Sequence, residues 1–180
     1  MTSIAVKGDK RNVEEVTVTD DKGLYFYRKG NEKVHARISV TIGTKGKEDL
    51  TIRIKQFSKV KNVGHLTGKI KLDIKDGSEI ELAYQGNDLT VNGKDEAIVS
   101  LRGSSRKLSI VIEDNCALYG QEFFADSLKV DLIDDALVKL AGSRHVTGEV
   151  EDDSALVFFQ STNVGMIRKR GKARVEVAEE

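Results

Sequence analysis

From about residue 79 onward, a short apolar run behind an acidic turn returns every 18 to 20 residues. The runs are Glu79-Ile80-Glu81-Leu82, Ala97-Ile98-Val99-Ser100-Leu101, Ala117-Leu118-Tyr119, Ala136-Leu137-Val138-Lys139-Leu140, Ala155-Leu156-Val157-Phe158 and Ala173-Arg174-Val175-Glu176-Val177. Their leading alanines, Ala97, Ala117, Ala136, Ala155 and Ala173, stand 20, 19, 19 and 18 apart. A steady period of this size, carried by strand patterns without convincing helices, predicts stacked β-rungs rather than a globular sandwich. A single rung cannot bury its inward Leu, Val and Ala side chains. Stacking at about 4.8 Å lines them into a continuous column. Right-twisted strands close with right-handed crossovers, so the expected fold is all-β, a right-handed parallel β-helix. An antiparallel sandwich is the alternative; it favours turn signals about every 8–12 residues, a spacing that two segments per rung partly imitate.

Each rung carries two strand segments. Leu50-Thr51-Ile52-Arg53-Ile54, Ile70-Lys71-Leu72-Asp73-Ile74, Leu89-Thr90-Val91, Leu108-Ser109-Ile110-Val111-Ile112 and Leu128-Lys129-Val130-Asp131-Leu132 hold equivalent places. Gly86, Gly103 and Gly142 follow the other segment, with Gly120 after Tyr119, and are expected to supply a positive φ at a sharp corner. Residues 1–48 read differently: period-two strands separated by Gly23, Gly30-Asn31, Gly43 and Gly46 predict an antiparallel meander or cap. The expected organisation is a β-cap over 1–48 and a β-helical repeat over 49–180, together one unit, since an open solenoid end exposes unpaired backbone.

The 180 residues suit one domain. Lys+Arg and Asp+Glu balance at 29 each, which gives no reason to expect nucleic acid or an anionic membrane as partner. Charged residues at 32% against 39% hydrophobic fit a narrow core with a wide polar exterior. Proline is absent, as suits a chain of ladders in which a missing N–H would break a bond. Cys116 is the only cysteine, so there is no internal disulfide or cysteine metal cluster; its acidic neighbours mark it as a buried filler, not a reactive thiol. Met1 to Asp9 has no apolar h-region and no run is long enough to span a membrane, so a cytoplasmic protein and one whose leader was removed are both consistent.

The stretch Leu72-Asp73-Ile74-Lys75-Asp76-Gly77-Ser78-Glu79-Ile80-Glu81-Leu82, with the rungs through Phe159, resembles the repeated L-x-V-x-x-x-x-(S/A)-x-(L/V)-x-L-x-G phrases of the auto-transporter adhesin, or head-GIN, family. Asp153-Ser154-Ala155-Leu156-Val157-Phe158 is similar to that family's terminal S-x-L-x-Y phrase, with Phe158 where tyrosine is usual. The resemblance covers roughly residues 50–160. It implies a right-handed parallel β-helix and an exported protein of the periplasm or cell surface, and it brings no catalytic residues with it. Residues 1–48 do not follow the family's usual opening.

The strongest polar pattern is an acidic ladder: Asp76, Asp95-Glu96, Glu113-Asp114, Asp134-Asp135 and Asp152-Asp153 precede the apolar runs. Asp is a favoured turn residue. Stacked carboxylates also repel, and a Ca²⁺ ion gathering oxygens from neighbouring rungs would relieve this, so Asp114, Asp134, Asp135, Asp152 and Asp153 are the candidate ligands. A glycosidase-like carboxylate pair is a third reading. His35, His65 and His145 lack metal-ligand spacing. Ser104-Ser105-Arg106 and Ser143-Arg144-His145 place hydroxyls beside bases without a nucleophile elbow. Gly43-Thr44-Lys45-Gly46-Lys47 reads as a hairpin turn rather than a phosphate loop.

The basic run Arg168-Lys169-Arg170-Gly171-Lys172-Ala173-Arg174 reads as a charged edge against end-to-end pairing. Strand alternation puts one Phe of each adjacent pair outside; Phe124 and Phe159 are the candidates for an apolar strip serving self-association or a partner. Tyr25 and Tyr27 share a face opposite Phe26, over the rim of the core or as an aromatic platform. The expected function is a non-enzymatic surface module with a structural, adhesive or partner-binding role toward protein or glycan. A polysaccharide-active enzyme or carbohydrate-binding module with a groove along one face is the alternative, a fold-level analogy.

Overall fold

A computed structural model describes residues 49–178 except 56, 62 and 63, together with four earlier strands. Those are β1 (Ser3–Lys7), β2 (Val16–Thr19), β3 (Tyr25–Arg28) and β4 (Ser39–Gly43). They pair antiparallel in nested order, β1 with β4 and β2 with β3. The turns expected at Gly23, Gly30-Asn31 and Gly46, His35 and the loop 44–47 lie outside the described residues, as do the side chains of Tyr25, Phe26 and Tyr27.

From Leu50 the chain is a parallel β-solenoid of about seven turns. Its strands are β5 (Leu50–Ile54), β6 (Lys59–Lys61), β7 (Lys69–Ile74), β8 (Glu79–Gly93), β9 (Ile98–Ile112), β10 (Ala117–Leu132), β11 (Leu137–Val150), β12 (Ala155–Phe158), β13 (Ile167–Lys169) and β14 (Arg174–Val177). The hydrogen-bonded order is β14-β12-β11-β10-β9-β8-β7-β5, with β13 on β11 and β6 on β8, and every one of these pairs is parallel. This is the stacked-rung architecture that the period predicts.

Alternation along each strand sends one side chain in and the next out, and register repeats the choice coil after coil. Ile80, Val99, Leu118, Val138 and Leu156 form one inward column, and Leu72, Val91, Ile110 and Val130 another, all fully buried. Burying each such side chain contributes about 1.5–3 kcal/mol, and the columns merge into one continuous core.

The leading alanines do not form a single column. Ala117 is in register with Ile98 and Leu137, not with Ala97 and Ala136. The small buried column at the corner is Ser78, Ala97, Cys116, Ala136 and Ser154. Size, rather than residue type, is what that position selects. Its polar members also bond: Sγ of Cys116 accepts the N–H of Ala97 at 3.1 Å, and Oγ of Ser154 accepts that of Ala136 at 3.1 Å.

Two corners interrupt each coil. At the acidic one, two successive residues are left-handed: Asp76 and Gly77, Asp95 and Glu96, Asp114 and Asn115, Asp134 and Asp135. Asp and Asn tolerate this region because their short polar side chains bond locally. The turns stack by backbone bonds, the N–H of Gly77, Glu96 and Asn115 reaching the carbonyls of Asp95, Asp114 and Asp134 at 2.8, 3.0 and 2.9 Å.

The opposite corner corrects the expectation for its glycines. Of Gly86, Gly103, Gly120 and Gly142, only Gly103 has a positive φ, of 109°. Gly86 and Gly120 are favoured instead by close approach of neighbouring side chains. A Cβ on Gly86 would overlap the hydroxyl of Tyr84, and one on Gly120 would come 2.8 Å from Cδ2 of Leu140.

Candidate functional site

The turn stack brings Asp114, Asp134 and Asp152 into one electrostatic neighbourhood, with Asp135 beside them. The carboxyl of Asp134 is pushed up from its ordinary range by lost hydration, by the charges of Asp152, Asp114 and Asp135, and by a hydrogen bond with Asp152. Cations answer part of this repulsion: Lys94 lies 3.0 Å from Glu113 and 3.3 Å from Asp114, and Lys172 lies 3.6 Å from Asp153. Both carboxylates hold the Lys94 ammonium above its usual proton affinity. Among the described residues, no group of three His, Cys, Asp or Glu side chains is arranged to hold a metal ion.

Ion pairs between successive coils recur elsewhere. Near the first coil Lys59 meets Glu79 at 2.7 Å, Lys61 meets Glu81, and Arg53 meets Asp73 at 3.3 Å. In the last coil the basic run turns back on the coil before it: Arg168 bonds Glu149 at 3.0 Å and Arg170 approaches Glu151 at 3.4 Å. The carboxyl of Glu149 is held low by a hydrogen bond shared with Glu151 and by the two guanidinium groups. Lys169 is in register with Val150, so a charge occupies the last place of an inward apolar column. That arrangement discourages another coil from adding to this edge.

The outward Phe residues are less alike than alternation implies. Phe123 and Phe158 are buried as expected, Phe159 is 37% exposed, and Phe124 is half-buried, lying across Gly142 with Cε2 3.5 Å from where a Cβ would stand. Of the serines in the two hydroxyl-and-base triplets, Ser104 is half-buried and Ser105 and Ser143 are buried. Ser143 is buried, its Oγ donating to the His145 carbonyl at 3.1 Å, and the buried hydroxyl of Ser105 has no partner among the described residues. His145 is exposed. Burial pushes the Cys116 thiol up to about 11, against the activation a nucleophile needs.

Sequence reasoning missed two features. One is Tyr84, fully buried, whose hydroxyl joins Gly68 O at 2.6 Å, Asp88 O at 2.9 Å and Asp88 N at 3.0 Å. It pins three points of the irregular corner, and burial raises its proton affinity. The Tyr84-x-Gly86 pair was its only sequence trace. The other is an open depression of about 450 Å³ on the outer face, lined by Glu81, Ser100, Arg102, Tyr119, Gln121 and Glu122. Tyr119 is 36% exposed, with Nζ of Lys139 6.0 Å from its ring centre. An aromatic ring beside an amide, a hydroxyl, a guanidinium and two carboxylates offers a polar ligand both stacking and hydrogen bonds. Comparison of the chain with protein-family models, curated proteins and solved structures finds no match.

Proposed function

We propose that this chain is a non-catalytic β-solenoid module of the cell surface or periplasm, holding a rigid extended face toward a protein or glycan partner. The observation that supports this is how its ionisable groups are distributed. Ion pairs join neighbouring coils near both ends of the stack, at Lys59–Glu79 and at Arg168–Glu149. Among the described residues the groups with shifted proton affinity, Tyr84, Lys94, Cys116, Asp134 and Glu149, are each accounted for by packing or by neighbouring charges. Acid–base catalysis instead requires such groups to converge where a substrate sits. The head-GIN-like phrasing of the coils supports the envelope location.

One observation favours the second reading, a polysaccharide-active enzyme: Glu81 and Glu122 line the same depression as Arg102 and Tyr119. Incubating the protein with neutral and acidic polysaccharides and measuring new reducing ends separates the two. No release is the expected result. Release that Glu122→Gln abolishes would establish the enzyme.

A further inference from the structure

The depression sits where the stack loses its register. Between β8 and β9 the pairing runs unbroken from Glu79↔Ile98 to Gly86↔Ser105. Between β9 and β10, Tyr119 faces Ser100 but Glu122 faces Arg102, three steps against two. Against β11 the slip is larger: Gly120 faces Leu140 and Phe124 faces Gly142, four steps against two. The coil of β10 therefore carries extra residues here, and Gln121 and Glu122 stand exposed as a lip beside Tyr119. Extra residues of this kind re-aim side chains and gather beside functional sites.

The charges around the lip differ from the paired ones near the two ends of the stack. Arg102 and Glu122 are register partners, yet neither forms an ion pair among the described residues, and Gln121 makes no side-chain hydrogen bond among them. Their donors and acceptors are left for a ligand. Arg102 balances Glu122 and Lys61 neutralises Glu81, which leaves the Lys139 ammonium beside the Tyr119 ring as the one unbalanced charge of a rim that carries both signs. A phosphate or uronate would meet two carboxylates, and a cation would meet Arg102 and Lys139. A neutral ring bearing vicinal hydroxyls fits this chemistry, because each hydroxyl both donates and accepts and the ring's C–H face suits an aromatic surface.

We propose that this depression binds a neutral sugar ring stacked on Tyr119, with adjacent hydroxyls bridging Arg102 and Glu122. The proposal rests on the non-catalytic reading above and gives it a ligand class. Neutral tetrasaccharides of glucose, galactose and mannose, with tetragalacturonate as the anionic arm, are titrated into isotope-labelled protein while amide shifts are followed by NMR. At least one neutral sugar is expected to move Ser100, Arg102 and the segment 119–122. Tyr119→Ala should weaken that binding by about tenfold or more, while Tyr119→Phe retains it and the melting temperature of each variant confirms folding. No shift with any neutral sugar, shifts centred elsewhere, binding indifferent to Tyr119→Ala, or tighter binding of tetragalacturonate would each overturn the proposal. Absent binding leaves the non-catalytic reading standing, whereas cleavage of a bound sugar overturns that reading alone.

Discussion

The two corners of the coil solve the same problem in opposite ways. At the acidic corner three successive coils, at 76–77, 95–96 and 114–115, repeat one device: two left-handed residues, a backbone bond to the next turn, and a small buried residue behind them. The other corner changes from coil to coil, using Tyr84 with Gly86 and Gly103 in one place and the slipped register of Gly120 to Phe124 in the next. Repetition makes the first corner tolerant, since each turn needs only residues at ease in the left-handed region. The second depends on particular contacts, and it borders the depression. Regularity here builds the scaffold, and departure from it makes room for a ligand.

The comparison breaks most readily at Gly103. Its φ is 109°, and a Cβ there would overlap the carbonyl oxygen of Tyr84, a backbone atom with no room to yield. Gly103→Ala is expected to lose more than about 4 kcal/mol in urea unfolding, or to prevent folding. Asp95→Ala at the repeated corner should lose only about 1–2 kcal/mol, the cost of a left-handed alanine. Equal losses would mean that the corners are not different in kind. Next in size is Tyr84→Phe, which leaves the Gly68 carbonyl and the Asp88 amide without their shared hydroxyl. A loss of about 1–3 kcal/mol is expected from the same measurement.

The same contrast explains what the sequence revealed. The period, the inward columns and the acidic turns were legible because each coil repeats them, so Leu118 and Val138 identify themselves by spacing and alternation. The spacing of the alanines does not give their register, because Cys116 and Ser154 fill the small place that Ala97 and Ala136 fill elsewhere. Tyr84 and the lip at Gln121 and Glu122 were not legible, since each occurs once and its meaning lies in which neighbour it meets. A coil longer by one or two residues can bulge at either corner. Only the pairing of Tyr119 with Ser100 and of Glu122 with Arg102 shows which.

Within the repeated corner, Cys116 tests whether size and an acceptor atom are all that its column asks. Cys116→Ser keeps an acceptor for the Ala97 N–H, as serine does at Ser154, and should stay within about 1 kcal/mol of the parent. Cys116→Val removes the acceptor and adds volume, and should cost more. The thiol also sets an alkaline limit. Its proton affinity is raised from an ordinary 9.0 to about 11, so its contribution is complete below pH 9.0 and fades as pH climbs to about 11. Unfolding curves across that window should decline for the parent and stay flatter for Cys116→Ser.

The smallest effect belongs to the acid stack. Because folding raises the proton affinity of Asp134, its ionised form opposes folding above that raised value. The penalty disappears as pH falls below 3.8, the carboxyl's ordinary value, where folded and unfolded chains are both protonated. Asp134→Asn should therefore raise the melting temperature at neutral pH, and the gain should shrink with acid toward the part owed to asparagine's ease in a left-handed turn. A gain that does not change with pH would assign the whole effect to backbone conformation and remove charge repulsion from the account of this corner. Added Ca²⁺ gives a sharper contrast: a rise in the parent's melting temperature that Asp134→Asn abolishes would mean the column gathers a cation. The repeated corner would then be a site as well as a scaffold.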